Sequence, residues 1–121
     1  MATKQVQSID IKGVSVDDYV PALLDAIEVP KDKTVSTVIL GNDHGSYSML
    51  VHFEPLTDAQ FADEGQWLDA ADVVAVIYPS FIRRIIRLVQ RRWPEAQIFN
   101  IPGCLCCNGV EDLREYNCQI S

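Results

Sequence analysis

DVVAVIYPSFIRRIIRLVQRRWPEAQIFNIPG, residues 72–103, is the stretch of sequence that decides the fold. Residues 72–78 form a continuous apolar run, which is typical of a strand covered on both faces. Residues 79–94 have apolar side chains at helical spacing between two prolines, and 96–103 predicts another strand. The stretch therefore predicts strand, helix and strand, which form a right-handed parallel unit if both strands belong to one sheet.

Three further strands are predicted before this unit. Residues 4–13 alternate polar and apolar side chains, and 34–41 is rich in β-branched residues. The second of these segments is followed by a strand over 47–55. The intervening residues have turn chemistry, with Asn42–Gly45 at the tip, so the last two strands are expected to form an antiparallel hairpin.

Two further helices are predicted in the same region. One covers 15–30, with Asp18 as the N-cap, because that assignment places Pro21 in the first turn, where no backbone N–H is needed. The other covers 56–71 and begins with the capping-box spacing of Thr57 and Gln60.

The predicted elements add up to one α/β or α+β domain over residues 1–121. It contains a mixed sheet of about five strands, with an antiparallel hairpin and a βαβ unit, and three main helices. The strand order does not follow from the pattern. A cysteine-rich segment, 103–121, completes the chain.

Composition narrows the function classes. The chain has 121 residues, of which 48% are hydrophobic and 22% charged, as expected for a single globular domain. The formal net charge of −7 disfavours nonspecific binding of nucleic acid. The sequence shows neither a secretory signal pattern nor an apolar run that would span a bilayer, so a cytoplasmic, non-membrane protein is expected.

A cluster of cysteines is the most distinctive chemical feature. IPGCLCCNG, residues 101–109, holds three cysteines within four positions, and Cys118 follows. Thiolates are soft ligands that suit zinc, which takes four donors in a tetrahedron. Adjacent Cys106 and Cys107 would point in opposite directions in extended backbone, so one site would use one of them. The predicted metal ligands are Cys104, Cys106, Cys107 and Cys118, with His44 as a further donor. His52 is an alternative to His44, and so is a carboxylate such as Asp112 or Glu111.

Other interpretations of the cysteines remain open. Free cysteines are among the most often buried residues, so they are also expected as small core side chains. A disulfide through Cys118 is another alternative. A thiol enzyme would use Cys104 or Cys106 as its nucleophile and His44 as its base. The residues around His44 are equally what a hairpin turn requires for its backbone alone.

The segment GCLCC followed by NGVEDL, residues 103–113, resembles the cysteine signature of the CobW-type metallochaperone GTPases. The resemblance implies that Cys104, Cys106 and Cys107 bind a transferable metal such as zinc. The chain contains no G-x-x-x-x-G-K-[ST] motif, so the resemblance does not extend to nucleotide binding.

Half of the basic residues lie on one predicted helix. Arg83, Arg84, Arg87 and Arg91 fall within one arc of ~100° on a helical projection, opposite the apolar side chains. Guanidinium groups bind carboxylates and phosphates in a bidentate manner, so this stripe is a candidate site for a charged protein, a second copy of the chain or a small anion. It is also expected to pair with acidic residues of the chain itself, such as Asp58, Asp63 and Glu64. Aromatic residues are not interleaved with the arginines, which further disfavours nucleic acid.

These patterns favour a binding protein over an enzyme. The leading expectation is a transition-metal site, with zinc as the metal, in a structural or interaction role. The first alternative is an interaction or inhibitor module that binds a charged partner through its acidic surface or through the arginine helix. The second alternative is the thiol enzyme.

Overall fold

Five strands form one mixed sheet in the part of the chain that the structure describes, residues 6–43, 46–62 and 64–104 of a computed structural model. The strands are β1 (Gln7–Asp10), β2 (Thr37–Asp43), β3 (Ser46–His52), β4 (Val73–Val76) and β5 (Gln97–Cys104). Their order is β1-β4-β3-β2-β5. The β1–β4 and β2–β5 pairs are parallel, and β3 is antiparallel to both of its neighbours. The predicted mixed sheet with its hairpin is confirmed.

Helices cover both faces of this sheet. They are α1 (Val16–Asp25), α2 (Asp58–Phe61), α3 (Glu64–Asp69) and α4 (Ile82–Arg92), and a 3₁₀ turn over Pro79–Phe81 precedes α4. Helices α1 and α4 share one hydrophobic core with the sheet, whereas α2 and α3 share a second core on the other face. The first helix, the α2–α3 pair and α4 correspond to the three predicted helices.

The strand–helix–strand unit over 72–101 is present, and β4 and β5 run parallel in one sheet. They are not neighbours, because β3 and β2 lie between them. Helix α1 likewise connects β1 to β2 across two intervening strands. Both crossovers run in the same direction over the same face, so α1 and α4 lie side by side.

Alternating side chains of the central strands enter the two cores. On β2, Val38 and Leu40 face α1 and α4, whereas Ile39 faces α2 and α3. On β3, Met49 and Val51 face the first pair, and Leu50 faces the second. Burial on both faces explains why these strands have no polar alternation in the sequence.

Helix α1 lies within the predicted range 15–30 but ends at Asp25, and the assignment of Asp18 as its N-cap is wrong. Ser15 is the N-cap, and its hydroxyl accepts a hydrogen bond from the Asp18 N–H at 3.3 Å and donates one to the Asp18 carboxylate at 2.8 Å. Pro21 consequently lies inside the helix, where it cannot donate to the carbonyl of Asp17. Both Ser and Asp are good caps, and spacing from the proline alone did not distinguish them.

The helix predicted over 56–71 is two short helices. The capping box of Thr57 and Gln60 is confirmed, with backbone-to-side-chain bonds of 2.9 and 3.2 Å. Helix α2 then ends at Phe61, with Ala62 as its C-cap. Phe61 and Trp67 both enter the second core, although six residues of continuous helix would place them about 120° apart around its axis. The break allows both rings to face the sheet, and the Trp67 indole N–H donates to the carbonyl of Phe61 at 3.3 Å.

We expect Phe99→Ala to destabilise the fold by about 3–5 kcal/mol, because it opens a cavity in the second core. The Phe99 side chain is 1% exposed, and its ring centroid lies 5.8 Å from that of Phe61. Urea denaturation measures the free energy of unfolding. Gln97→Ala on the same strand is the matched control and is expected to change it by less than about 0.5 kcal/mol. Equal stability of the two variants would contradict the two-core architecture.

Candidate functional site

Helix α4 is amphipathic, as its sequence predicted. Ile85, Ile86 and Val89 are buried against the sheet. All five arginines are exposed, including the four predicted to form a stripe. Apolar burial therefore fixes the rotation of the helix, and that rotation turns the guanidinium groups toward solvent.

A groove of about 280 Å³ lies between α1 and α4 on this surface. Three arginines of α4 contribute to its lining, and apolar side chains of both helices supply much of the rest. Asp17 lies at the α1 side. The lining residues are Val16, Asp17, Val20, Pro21, Arg84, Arg87, Leu88 and Arg91. Of the four predicted stripe residues, Arg83 is exposed on the helix but does not line the groove.

The groove arginines have few charged partners. In the described ranges, the arginines of α4 form one ion pair, between Arg92 and Asp25 at 2.8 Å, which links the C-terminal ends of the two helices. The guanidinium carbon of Arg84 lies 5.8 Å from the centroid of the Phe81 ring, in cation–π geometry. Asp58, one of the acids expected to neutralise the stripe, belongs to α2 on the opposite face of the sheet.

An aromatic patch with one exposed ring lies beside Arg84, which lines the groove. The rings of Tyr19, Tyr78 and Phe81 form a cluster with centroid distances of 4.8 to 6.3 Å. Tyr78 is 50% exposed and Tyr19 beneath it is buried, whereas Val16, which lines the groove, is 62% exposed. The Tyr19 hydroxyl donates to the carbonyl of Val76 at 3.3 Å, which holds the cluster at the end of β4. Sequence reasoning missed this patch, because Tyr19 is brought to Tyr78 by the fold.

The C-terminal ends of β2 and β5 meet at one edge of the sheet. Cys104 is paired with Asn42 in the parallel register, two residues before His44. The predicted ligands His44, Cys106, Cys107 and Cys118 lie outside the described residues. Of Cys104, the structure describes the backbone but not the side chain. Within the described residues, no group of three or more His, Cys, Asp or Glu side chains is placed to hold a metal. The backbone thus brings Cys104 to the hairpin that carries His44, a proximity that sequence alone did not give.

A second cavity, of about 350 Å³, lies near the end of β3 and includes His52, Glu54 and Asp72 in its lining. Its polar groups take part in structural contacts. The Asp72 carboxylate accepts the Phe53 N–H at 2.8 Å, and Glu54 forms an ion pair with Lys33. The Nε2 of buried His52 lies 2.8 Å from the Trp67 carbonyl, which can only accept, so Nε2 carries the hydrogen. These contacts favour a structural role for the cluster.

Comparisons with protein-family models, with curated proteins and with solved structures found no match. Among the described helices, none has the length and apolar character needed to cross a lipid bilayer.

We expect the free energy of unfolding to fall as the pH rises above about 10, partly through two tyrosines. Burial is the main cause that raises the pKa of both Tyr19 and Tyr47 above the ordinary value of 10.0. As the pH rises, the unfolded chain loses these protons first. The stabilisation that the two neutral tyrosines give below pH 10.0 is therefore lost as the pH approaches their pKa in the folded protein. Alkaline denaturation series on wild type and on the double variant Tyr19→Phe/Tyr47→Phe test this.

The double variant is expected to show a shallower alkaline decline. Both proteins keep Lys33, whose pKa is raised by its hydrogen bond and charge contact with Glu54, so its titration is common to the comparison. An identical decline in the two proteins would contradict the assignment to tyrosines.

Proposed function

We propose that this protein is a binding module that docks an acidic protein partner in the groove between α1 and α4. One observation supports the proposal: Arg84, Arg87 and Arg91 line the groove beside an apolar floor, and no ion pair within the described residues neutralises them. Arginines placed in this way are available to carboxylates of another molecule.

The charge distribution of the chain supports an acidic partner. Helix α4 carries five basic residues, which leaves five basic against seventeen acidic residues in the rest of the chain. An acidic partner would be attracted to this surface and repelled by the rest of the protein. This would orient the partner and raise the rate of association. Nucleic acid is disfavoured by the same net charge.

The lining of the groove suits a protein partner better than a small anion, because it joins three arginines to exposed apolar side chains. Exposed ion pairs contribute up to about 1 kcal/mol each, so three of them need the apolar floor to give useful affinity. A partner that covers both the arginines and Val16 and Leu88 would exclude water from those pairs.

We expect Arg87→Glu to weaken binding of a fluorescently labelled glutamate-rich peptide roughly ten-fold, equivalent to about 1.4 kcal/mol. The reason is that the change replaces an attraction in the middle of the groove by a repulsion. Fluorescence anisotropy measures the affinity, which should also fall as salt is raised.

Arg83→Glu is the matched control for this test. It makes the same charge change on the same exposed helix, outside the groove lining. Circular dichroism verifies that both variants fold. If the two changes weakened binding equally, the peptide would be responding to net charge, and the groove would not be the binding site.

A transition-metal site at the carboxyl edge of the sheet is a second proposed function. The register between Asn42 and Cys104 supports it, because it sets the first cysteine of GCLCC beside the hairpin that carries His44. Zinc would be held by Cys104, by one of Cys106 and Cys107, by Cys118 and by His44. Its role would be structural or would serve an interaction.

We expect protein purified without chelator to hold near-stoichiometric zinc, because a tetrahedral thiolate site binds this ion tightly. Cys104→Ser and His44→Ala should each lower the zinc-to-protein ratio measured by elemental analysis. Cobalt substitution then gives thiolate charge-transfer absorption that is lost with the same variants. Metal-free protein with one fast-reacting thiol would contradict the site and favour the thiol enzyme instead.

A further inference from the structure

We infer that the groove receives an acidic amphipathic α-helix of a partner protein, whose apolar side extends onto the aromatic patch at Tyr78 and Phe81. The inference rests on the proposed function and specifies the structure of the acidic partner. One helical segment of the partner would match the spacing of the arginines, the shape of the groove and the neighbouring patch.

The arginine spacing matches a helix. Arg84, Arg87 and Arg91 are separated by three and four residues, so they rise by about 4.5 and 6 Å along α4 and span about 10.5 Å. A second helix laid along α4 repeats carboxylates at the same intervals on one face. In an extended segment, three side chains on the same face span about 13 Å in equal steps. They therefore fit the unequal arginine spacing less well.

The groove walls match the same partner. Helices α1 and α4 follow parallel strands and share one face of the sheet, so the channel between them follows their axes. Val16 and Leu88 line it together with the arginines. An amphipathic helix presents adjoining acidic and apolar stripes, which is the arrangement that this channel requires.

The aromatic patch supplies area that the groove lacks. A stable protein interface buries about 800 Å² and about 20–30 residues on each partner, whereas eight residues line the groove. Arg84 connects the two regions, since it lines the groove and also lies over the Phe81 ring. Exposed Tyr78 extends the apolar surface beyond it. Tyrosine and arginine are the residue types that dominate binding hot spots.

The experiment compares three labelled peptides of identical glutamate, leucine, alanine and glutamine content. Each has about 14 residues, enough for about four helical turns. The first peptide places glutamates at i, i+3 and i+7 beside a leucine stripe. The second alternates glutamate and leucine, as a strand would present them. The third is scrambled. Anisotropy gives the affinities, and circular dichroism follows the helicity of each peptide.

The helical-pattern peptide is expected to bind at least ten-fold more tightly than the other two and to gain helicity on binding. Arg87→Glu and Tyr78→Ala should each weaken it about ten-fold. Arg83→Glu and Tyr78→Phe are the matched controls and should leave it within about two-fold, because the first lies outside the groove lining and the second keeps the ring. All three residues are exposed, so the four variants are expected to fold.

The remaining outcomes separate the two proposals. Equal binding of all three peptides, lost with Arg87→Glu, would overturn the helical partner and leave an acidic partner in place. Binding by none of them would overturn both. Displacement of the helical-pattern peptide by inorganic phosphate, but not by chloride at the same ionic strength, would assign the groove to a small anion. A concentration-dependent dimer broken by Arg87→Glu but not by Arg83→Glu would make the occupant a second copy. Each of these last two results also overturns the inference.

Discussion

Burial of the central strands on both faces is the constraint on which the rest of the structure depends. Strands β2 and β3 send alternating apolar side chains into two separate cores, so each face of the sheet needs its own helical layer. Helices α1 and α4 supply one layer, and α2 and α3 supply the other. Because both long crossovers pass over the same face, α1 and α4 become neighbours, and the channel between them is a consequence of the topology.

Local signals in the sequence predicted most of the elements but not their arrangement. Apolar runs and flanking prolines located four strands and α4 to within a few residues, because those signals are set by burial and by backbone chemistry. Strand order depends on hydrogen bonds between distant segments, and no local pattern specifies it. Trp67 illustrates the limit for helices. The predicted helix is broken because its indole and the Phe61 ring both fill the second core, which is a tertiary requirement.

The candidate site divides in the same way. Helical periodicity predicted the arginine-bearing face of α4, since the opposite face carries the apolar side chains. It could not predict the groove, because the other wall is formed by Val16 and Pro21, more than sixty positions earlier in the sequence. The proximity of Cys104 to the His44 hairpin likewise comes from the parallel pairing of β2 with β5. In both cases, the sequence showed which residues have suitable chemistry, but it did not show which distant segments the fold brings together.

The strand order also sets an order of assembly. Of the four strand pairings in the described sheet, the β2–β3 hairpin joins the closest segments in the chain, whereas β1 pairs residue 7 with residue 73 and β5 pairs residue 97 with residue 37. Closing long loops costs entropy before any contact compensates for it, so the hairpin is expected to form early and the two edge strands late. The groove needs both crossovers in place, and it is therefore among the last features to be completed. A nascent or partly unfolded chain would have the arginines of α4 without the α1 wall of the groove.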